Sequence, residues 1–131
     1  MKITHLLFDL DSTLYAPDSD MTKGFLERTI TLVADFFHIS REEAAERRLS
    51  NLPHYSTTLE WMRREGLTDI ERYLAYIHPE SEADELDADE NLRPLLTSID
   101  MPKSILTNSP REHAERVLEK LNVADQFESI C

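Results

Sequence analysis

A short apolar run that ends on two spaced carboxylates constrains this 131-residue chain more than any other feature. In Leu6-Leu7-Phe8-Asp9-Leu10-Asp11-Ser12-Thr13-Leu14-Tyr15, three apolar residues lead into Asp9 and Asp11, with Ser12-Thr13 behind them. Residues 3–8 read as a buried strand. Side chains alternate along a strand, so Asp9 and Asp11 are expected to leave it on the same side. Open α/β sheets place ligands at the C-terminal ends of their strands. Two acids there repel each other unless a cation joins them. Mg²⁺ suits carboxylate oxygens and is commonly shared with a substrate phosphate.

A second run lies far downstream, in Ser104-Ile105-Leu106-Thr107-Asn108-Ser109-Pro110-Arg111-Glu112. It is apolar, then small and polar, then a helix start. Ser109 is expected as the N-cap, Pro110 as the first helical residue and Glu112 as the partner in a capping box. A helix N-terminus is a ready anion site, and Thr107 and Asn108 stand at its mouth.

Helical periodicity fills the interval. Residues 16–20 read as a loop. Phe25, Ile30, Val33, Phe36 and Phe37 form an apolar stripe. Ser40 with Glu43 caps a charged helix over about 41–50, and Pro53 interrupts the pattern. Tyr55, Leu59 and Met62 mark a third helix ending near Gly66. Thr68 with Glu71 caps a fourth, carrying Ile70, Tyr73, Leu74 and Ile77 and stopped by His78-Pro79. Residues 80–90 read as a solvated acidic loop. A helix over about 90–98 must hold Pro94 in its first turns. Beyond the second motif, Ala114, Val117, Leu118 and Leu121 define an amphipathic helix over 110–122, and 127–131 begins a third strand.

Bulk properties narrow the function classes. A net charge of −12 opposes nucleic-acid and anionic-membrane partners. It also opposes a phosphate at long range, so local cations are needed for binding. One cysteine excludes an internal disulfide and fits a reducing compartment. No apolar run approaches the roughly 20 residues that span a bilayer, and Met1-Lys2 leads directly into the expected strand. The expectation is a cytoplasmic protein with a small-molecule partner.

Together the two motifs resemble those of the haloacid dehalogenase superfamily, whose members are mostly phosphatases. Its first motif is a strand ending Asp-x-Asp-x-Thr, matched by Asp9, Asp11 and Thr13; its second is a strand ending in Thr or Ser, matched by Thr107. The stretches Tyr55-Ser56-Thr57-Thr58-Leu59 and His113-Ala114-Glu115-Arg116-Val117-Leu118 look like the pyrimidine 5′-nucleotidase branch.

The resemblance implies a Rossmann-like, three-layer α/β core with a parallel sheet. Residues 1–15 and 99–131 would form it, and 16–98 would be a helical cap inserted between strand one and strand two. It implies Mg²⁺-dependent hydrolysis of a small phosphorylated metabolite, such as a nucleoside 5′-monophosphate. Asp9 would be the nucleophile and Asp11 the acid/base, its pKa raised by burial. The metal would be held by the Asp9 side chain and the Asp11 backbone carbonyl, and phosphate by Thr107 and Asn108.

The family pattern continues with a lysine and further acidic residues, which Lys103 and Lys120 do not match in order. The chain is therefore expected to be a fragment or short form with an incomplete sheet, weak activity and a tendency to self-associate. The alternatives are a degenerate domain that binds phosphate or Mg²⁺ without efficient catalysis, or a related activity such as phosphoglycolate hydrolysis or phosphoryl mutation. Arg63 and Arg64 are expected to complement a helix dipole. The five histidines are expected in structural or surface roles, and Trp61 and Tyr55 in the cap's core.

Overall fold

The structure is a computed structural model and describes residues 2–131. Three short strands, β1 (Leu6–Phe8), β2 (Lys103–Ile105) and β3 (Ser129–Ile130), form a parallel sheet in the order β1-β2-β3. Six α-helices are described: α1 (Asp20–Phe37), α2 (Arg41–Asn51), α3 (Thr58–Arg64), α4 (Ile70–Ile77), α5 (Leu92–Thr97) and α6 (Arg111–Lys120). Short 3-10 helices lie at Glu82–Glu85 and Ala124–Gln126. The fold is mixed α/β and mostly helical. Among the described residues no helix is long and apolar enough to cross a membrane.

Leu6 pairs with Lys103 and Phe8 with Ile105. The strand expected over 3–8 starts only at Leu6. The Leu6 N–H donates to the Pro102 carbonyl at 2.9 Å, but proline has no N–H to carry the ladder further back.

The chain divides into two compact units. One comprises the residues up to Lys23 together with Glu80–Cys131, and the other is Gly24–Pro79. The sheet unit buries Leu10, Leu14, Ile105, Val117, Leu118 and Val123 in one cluster. Met21, Leu86 and Leu96 pack into the same cluster. In this division residues 16–23 and 80–98 group with the strands, and 24–79 form the helical unit.

The helical unit has its own core of Val33, Ala44, Trp61, Met62, Tyr73 and Ile77. Fully burying side chains such as Val33, Met62 and Ile77 stabilises by about 1.5–3 kcal/mol each. The Trp61 ring stacks on Phe37 with centroids 5.2 Å apart, and Tyr55 packs against the same cluster. Both aromatics therefore serve this unit's interior. Local signals set the helix starts. The Ser40 side chain accepts from the Glu43 N–H, and Thr57 from the Glu60 N–H. On α4 the cap is Asp69, which accepts from the Arg72 N–H, and not Thr68. An ionised carboxylate one residue closer to the helix is the better acceptor for that end. Gly66 closes α3 at φ +106, where a side chain would be strained. Arg63 and Arg64 sit exposed in the last turn of α3, where cations complement the helix dipole. Pro94 is the third residue of α5, inside the first turn, where its missing N–H costs no helical bond.

Candidate active site

The chain turns as soon as β1 ends. The N–H groups of Thr13 and Leu14 donate to the Leu10 carbonyl at 3.2 and 3.0 Å. Leu10 is fully buried and anchors this turn in the core. Asp9 leaves the strand exposed, with the Thr13 hydroxyl donating to its Oδ2 at 3.0 Å. Asp11 lies inside the turn and is half-buried. Strand alternation stops at Phe8, so it is the turn that places Asp11.

The second motif arrives at the same edge. The Leu106 N–H donates to the Phe8 carbonyl at 2.8 Å and the Thr107 N–H to the Cys131 carbonyl at 3.0 Å. Thr107 and the exposed Asn108 therefore follow the C-terminal end of β2, the strand paired with β1. The Thr107 hydroxyl accepts from the Ser109 N–H at 3.1 Å. Ser109 is not the helix cap. Pro110 occupies that position without a side-chain hydrogen bond. The Ser109 hydroxyl instead donates to Asp11 Oδ2 at 2.5 Å. The hydroxyl's one proton makes a stronger bond to a carboxylate than to a neutral acceptor, and the side chain is turned to this tertiary partner and not to the helix end.

Asp11 has two further donors on Oδ1. The Tyr15 hydroxyl reaches it at 2.7 Å, and His113 Nε2 also at 2.7 Å. On its other side His113 Nδ1 meets Glu82 Oε1 at 2.5 Å, and Arg116 Nη2 reaches the same oxygen at 3.1 Å. His113 is 2 % exposed and Glu82 is fully buried. One expectation changes here. Glu82 is not part of a solvated loop, because it supplies the buried anion for His113 and Arg116. His113 is a buried histidine with a carboxylate on each ring nitrogen, so of the two expected roles it has the structural one. It could have been found from its position: it lies four residues before Val117, on the apolar face of α6.

An imidazole with a carboxylate on each nitrogen donates from both only when it is protonated. Burial pushes His113 down, but the hydrogen bonds and charges of Asp11 and Glu82 outweigh it and raise the pKa to about 9. Burial also pushes Asp11 up. Against that, the hydrogen bond and charge of His113, with the Ser109 and Tyr15 hydroxyls, bring it down to about 2. Burial and the Asp11 charge lift Tyr15 well above its ordinary value. The expected rise for Asp11 is thus reversed, since three donors hold the resting carboxylate ionised.

These shifts make folding stability pH-dependent. His113 is held above its ordinary 6.5, so its contribution is complete below that pH and is lost as pH rises through about 9. Asp11 is held below its ordinary 3.8, so its contribution is complete above that pH and is lost as pH falls through about 2. The urea midpoint is expected to be highest between these two ordinary values and to fall on both sides. His113→Leu should lose the alkaline decline. A wild-type midpoint that stays level from pH 6.5 to 9 would show that His113 is not held protonated.

Lys103 contributes no cation to this cluster. Its ammonium is buried and donates to the carbonyls of Ile99 and Met101 at 2.7 and 3.0 Å. For a divalent cation, the exposed Asp9 carboxylate is a suitable hard donor. Asp11 Oδ1 already accepts two protein donors and Oδ2 one, so the backbone carbonyl is the less encumbered Asp11 ligand. Mg²⁺ commonly takes one or two carboxylates and completes its shell with water and substrate phosphate, and this donor set is compatible with that. Comparison with known protein families and with curated proteins finds no match to this chain.

Proposed function

We propose that this chain is a haloacid dehalogenase-type, Mg²⁺-dependent phosphomonoester hydrolase. It would act in the cytoplasm through an aspartyl-phosphate, on a nucleoside 5′-monophosphate or a similar small phosphate. In this reading the sheet unit is the Rossmann-like core and the helical unit its inserted cap. The carrying observation is the Ser109–Asp11 hydrogen bond, which joins motifs 98 positions apart beside the ends of adjacent parallel strands.

Asp9 supplies the nucleophile. One carboxylate oxygen bonds to phosphorus as the ester P–O bond breaks, and water later attacks the acyl phosphate. Its exposure leaves it accessible to substrate. The departing alkoxide needs a proton, and the attacking water must lose one. Asp11 is the group at hand for both transfers. An incoming phosphate anion disfavours the ionised form of a nearby acid, which moves Asp11 toward the protonated state that the first transfer needs. The Thr107 hydroxyl and Asn108 amide offer donors where charge develops on the phosphoryl oxygens. A bound Mg²⁺, held by the Asp9 carboxylate and the Asp11 carbonyl, would screen the repulsion between nucleophile and phosphate.

One observation favours a second reading, a domain that binds phosphate or Mg²⁺ without efficient turnover. The resting Asp11 carboxyl is held down at about 2 by its hydrogen-bond donors and the His113 charge, far below the pH at which a catalytic acid works. Phosphoglycolate hydrolysis and phosphoryl mutation would use the same Asp9 and differ in substrate. The deciding assay is hydrolysis of an aryl phosphate and of nucleoside 5′-monophosphates with Mg²⁺ and with chelator. Turnover abolished by chelator is expected. Phosphate or Mg²⁺ binding without turnover supports the second reading, and neither binding nor turnover sinks both.

Self-association belongs to the same proposal. β1 is an edge strand and Leu7 on it is 63 % exposed. The same preparation should show a mass above that of one chain, and a strictly monomeric protein would remove this part.

A further inference from the structure

We infer that His113, seated on Glu82, is a positioning residue that orients the Asp11 carboxylate so that its proton traffic runs through Oδ2. The inference rests on the phosphatase reading above.

The atoms around Asp11 support it. A carboxylate offers about four lone-pair sites, about two on each oxygen. Oδ1 accepts from both the Tyr15 hydroxyl and His113 Nε2. Oδ2 accepts the Ser109 hydroxyl. Among the described contacts, then, Oδ1 is filled and Oδ2 keeps room for a proton. The imidazole that fills Oδ1 is itself held from behind, because its Nδ1 is hydrogen-bonded to a fully buried Glu82 that also takes Arg116. Turning the ring would leave a buried polar group without its partner, which is costly.

Four segments converge here: the turn after β1, the 3-10 helix at Glu82–Glu85, the loop before α6, and α6 itself. At 2 % exposure His113 has no access to a substrate, so its influence passes through Asp11. The general logic is that of a base oriented by a third group. A misplacement of about 1 Å can cost about 10²-fold in rate.

The test compares His113→Leu with His113→Gln in the full chain, on p-nitrophenyl phosphate and on a nucleoside 5′-monophosphate. An aryl oxide leaves without a proton, whereas the nucleoside alkoxide requires one. His113→Leu is expected to lower kcat/KM on the nucleotide by about 10²-fold, with a smaller loss on the aryl ester. His113→Gln keeps an N–H that can reach Asp11 and should recover part of the nucleotide rate. Equal losses in kcat/KM on the two esters, a ratio that reports phosphoryl transfer and not the shared hydrolysis of the acyl phosphate, or an undiminished nucleotide value in His113→Leu, would overturn the inference. If His113→Leu does not fold, Tyr15→Phe removes the other Oδ1 donor and should show the same split.

Side-chain couplings at Asp11 give a reading that does not depend on turnover. They should report one rotamer in the wild type and averaging in His113→Leu. An unchanged rotamer in the variant sinks the positioning role. A wild type that hydrolyses neither ester sinks the phosphatase reading and the proton-transfer half of the inference, while the couplings still decide the positioning half.

Discussion

Asp9→Asn is expected to abolish phosphate-ester hydrolysis while leaving the fold intact. The amide is nearly isosteric with the carboxylate but does not attack phosphorus. Asp9 is exposed, and its hydrogen bond to the Thr13 hydroxyl can be kept by the amide oxygen. Stability should therefore stay within about 0.5 kcal/mol, as for most surface substitutions. The kinetic effect is of a different order. In a serine protease, loss of the nucleophile costs about 10⁶-fold in kcat. A fall of at least about 10³-fold, or about 4 kcal/mol of barrier, is a conservative expectation here. Acid quenching during turnover should trap a phosphorylated chain in the wild type and none in the variant. Activity retained within about tenfold would remove Asp9 from the nucleophilic role, since that corresponds to only about 1.4 kcal/mol.

Such an experiment starts from a residue that is legible in the sequence. Asp9 stands out because an apolar lead-in ends on it, and Thr107 because a second lead-in does the same. The parallel pairing of β1 with β2 then brings both to one edge. Helix positions are legible for similar local reasons. The Ser40 cap holds, and Gly66 sits where α3 must stop.

What resists reading is the choice between a local and a distant partner. Ser109 carries a good capping signature, yet its hydroxyl serves an acid 98 positions earlier. Glu82 sits in a run of acids whose composition says solvent. Its burial is decided by His113 and Arg116, which lie 31 and 34 positions away. The Asp11 pKa fails to follow from burial alone for the same reason, because the donors that reverse its shift come mostly from a different helix and loop. His113 is the intermediate case. Its place on the apolar stripe of α6 marks it as buried, and a buried histidine needs polar partners.

Glu82→Ala should be among the most destabilising single changes in the sheet unit. Glu82 is fully buried and accepts from His113 at 2.5 Å and from Arg116 at 3.1 Å. Truncating it takes one of two carboxylates from a buried imidazolium and removes a buried anion from a guanidinium. Breaking a buried pair by removing one partner typically costs about 3–5 kcal/mol. That is a large share of the total stability of an ordinary domain, about 5–15 kcal/mol. The pair Glu43–Arg47 on α2 offers a contrast. Its side chains are about half-exposed at 46 and 47 %, and i,i+4 pairs of that kind contribute only about 0.3–0.5 kcal/mol. Glu82→Gln keeps the shape and one acceptor, so its cost should fall between the two. Urea unfolding measures all three, provided the m-value is unchanged and the shift in midpoint reports stability alone. His113 also loses one of the carboxylates that keep it charged, so the destabilisation of Glu82→Ala should shrink as pH rises toward about 9. A loss below about 1 kcal/mol at neutral pH, far under the range for a broken buried pair, would mean that Glu82 is hydrated and that the Glu82–His113–Asp11 chain does not organise the site.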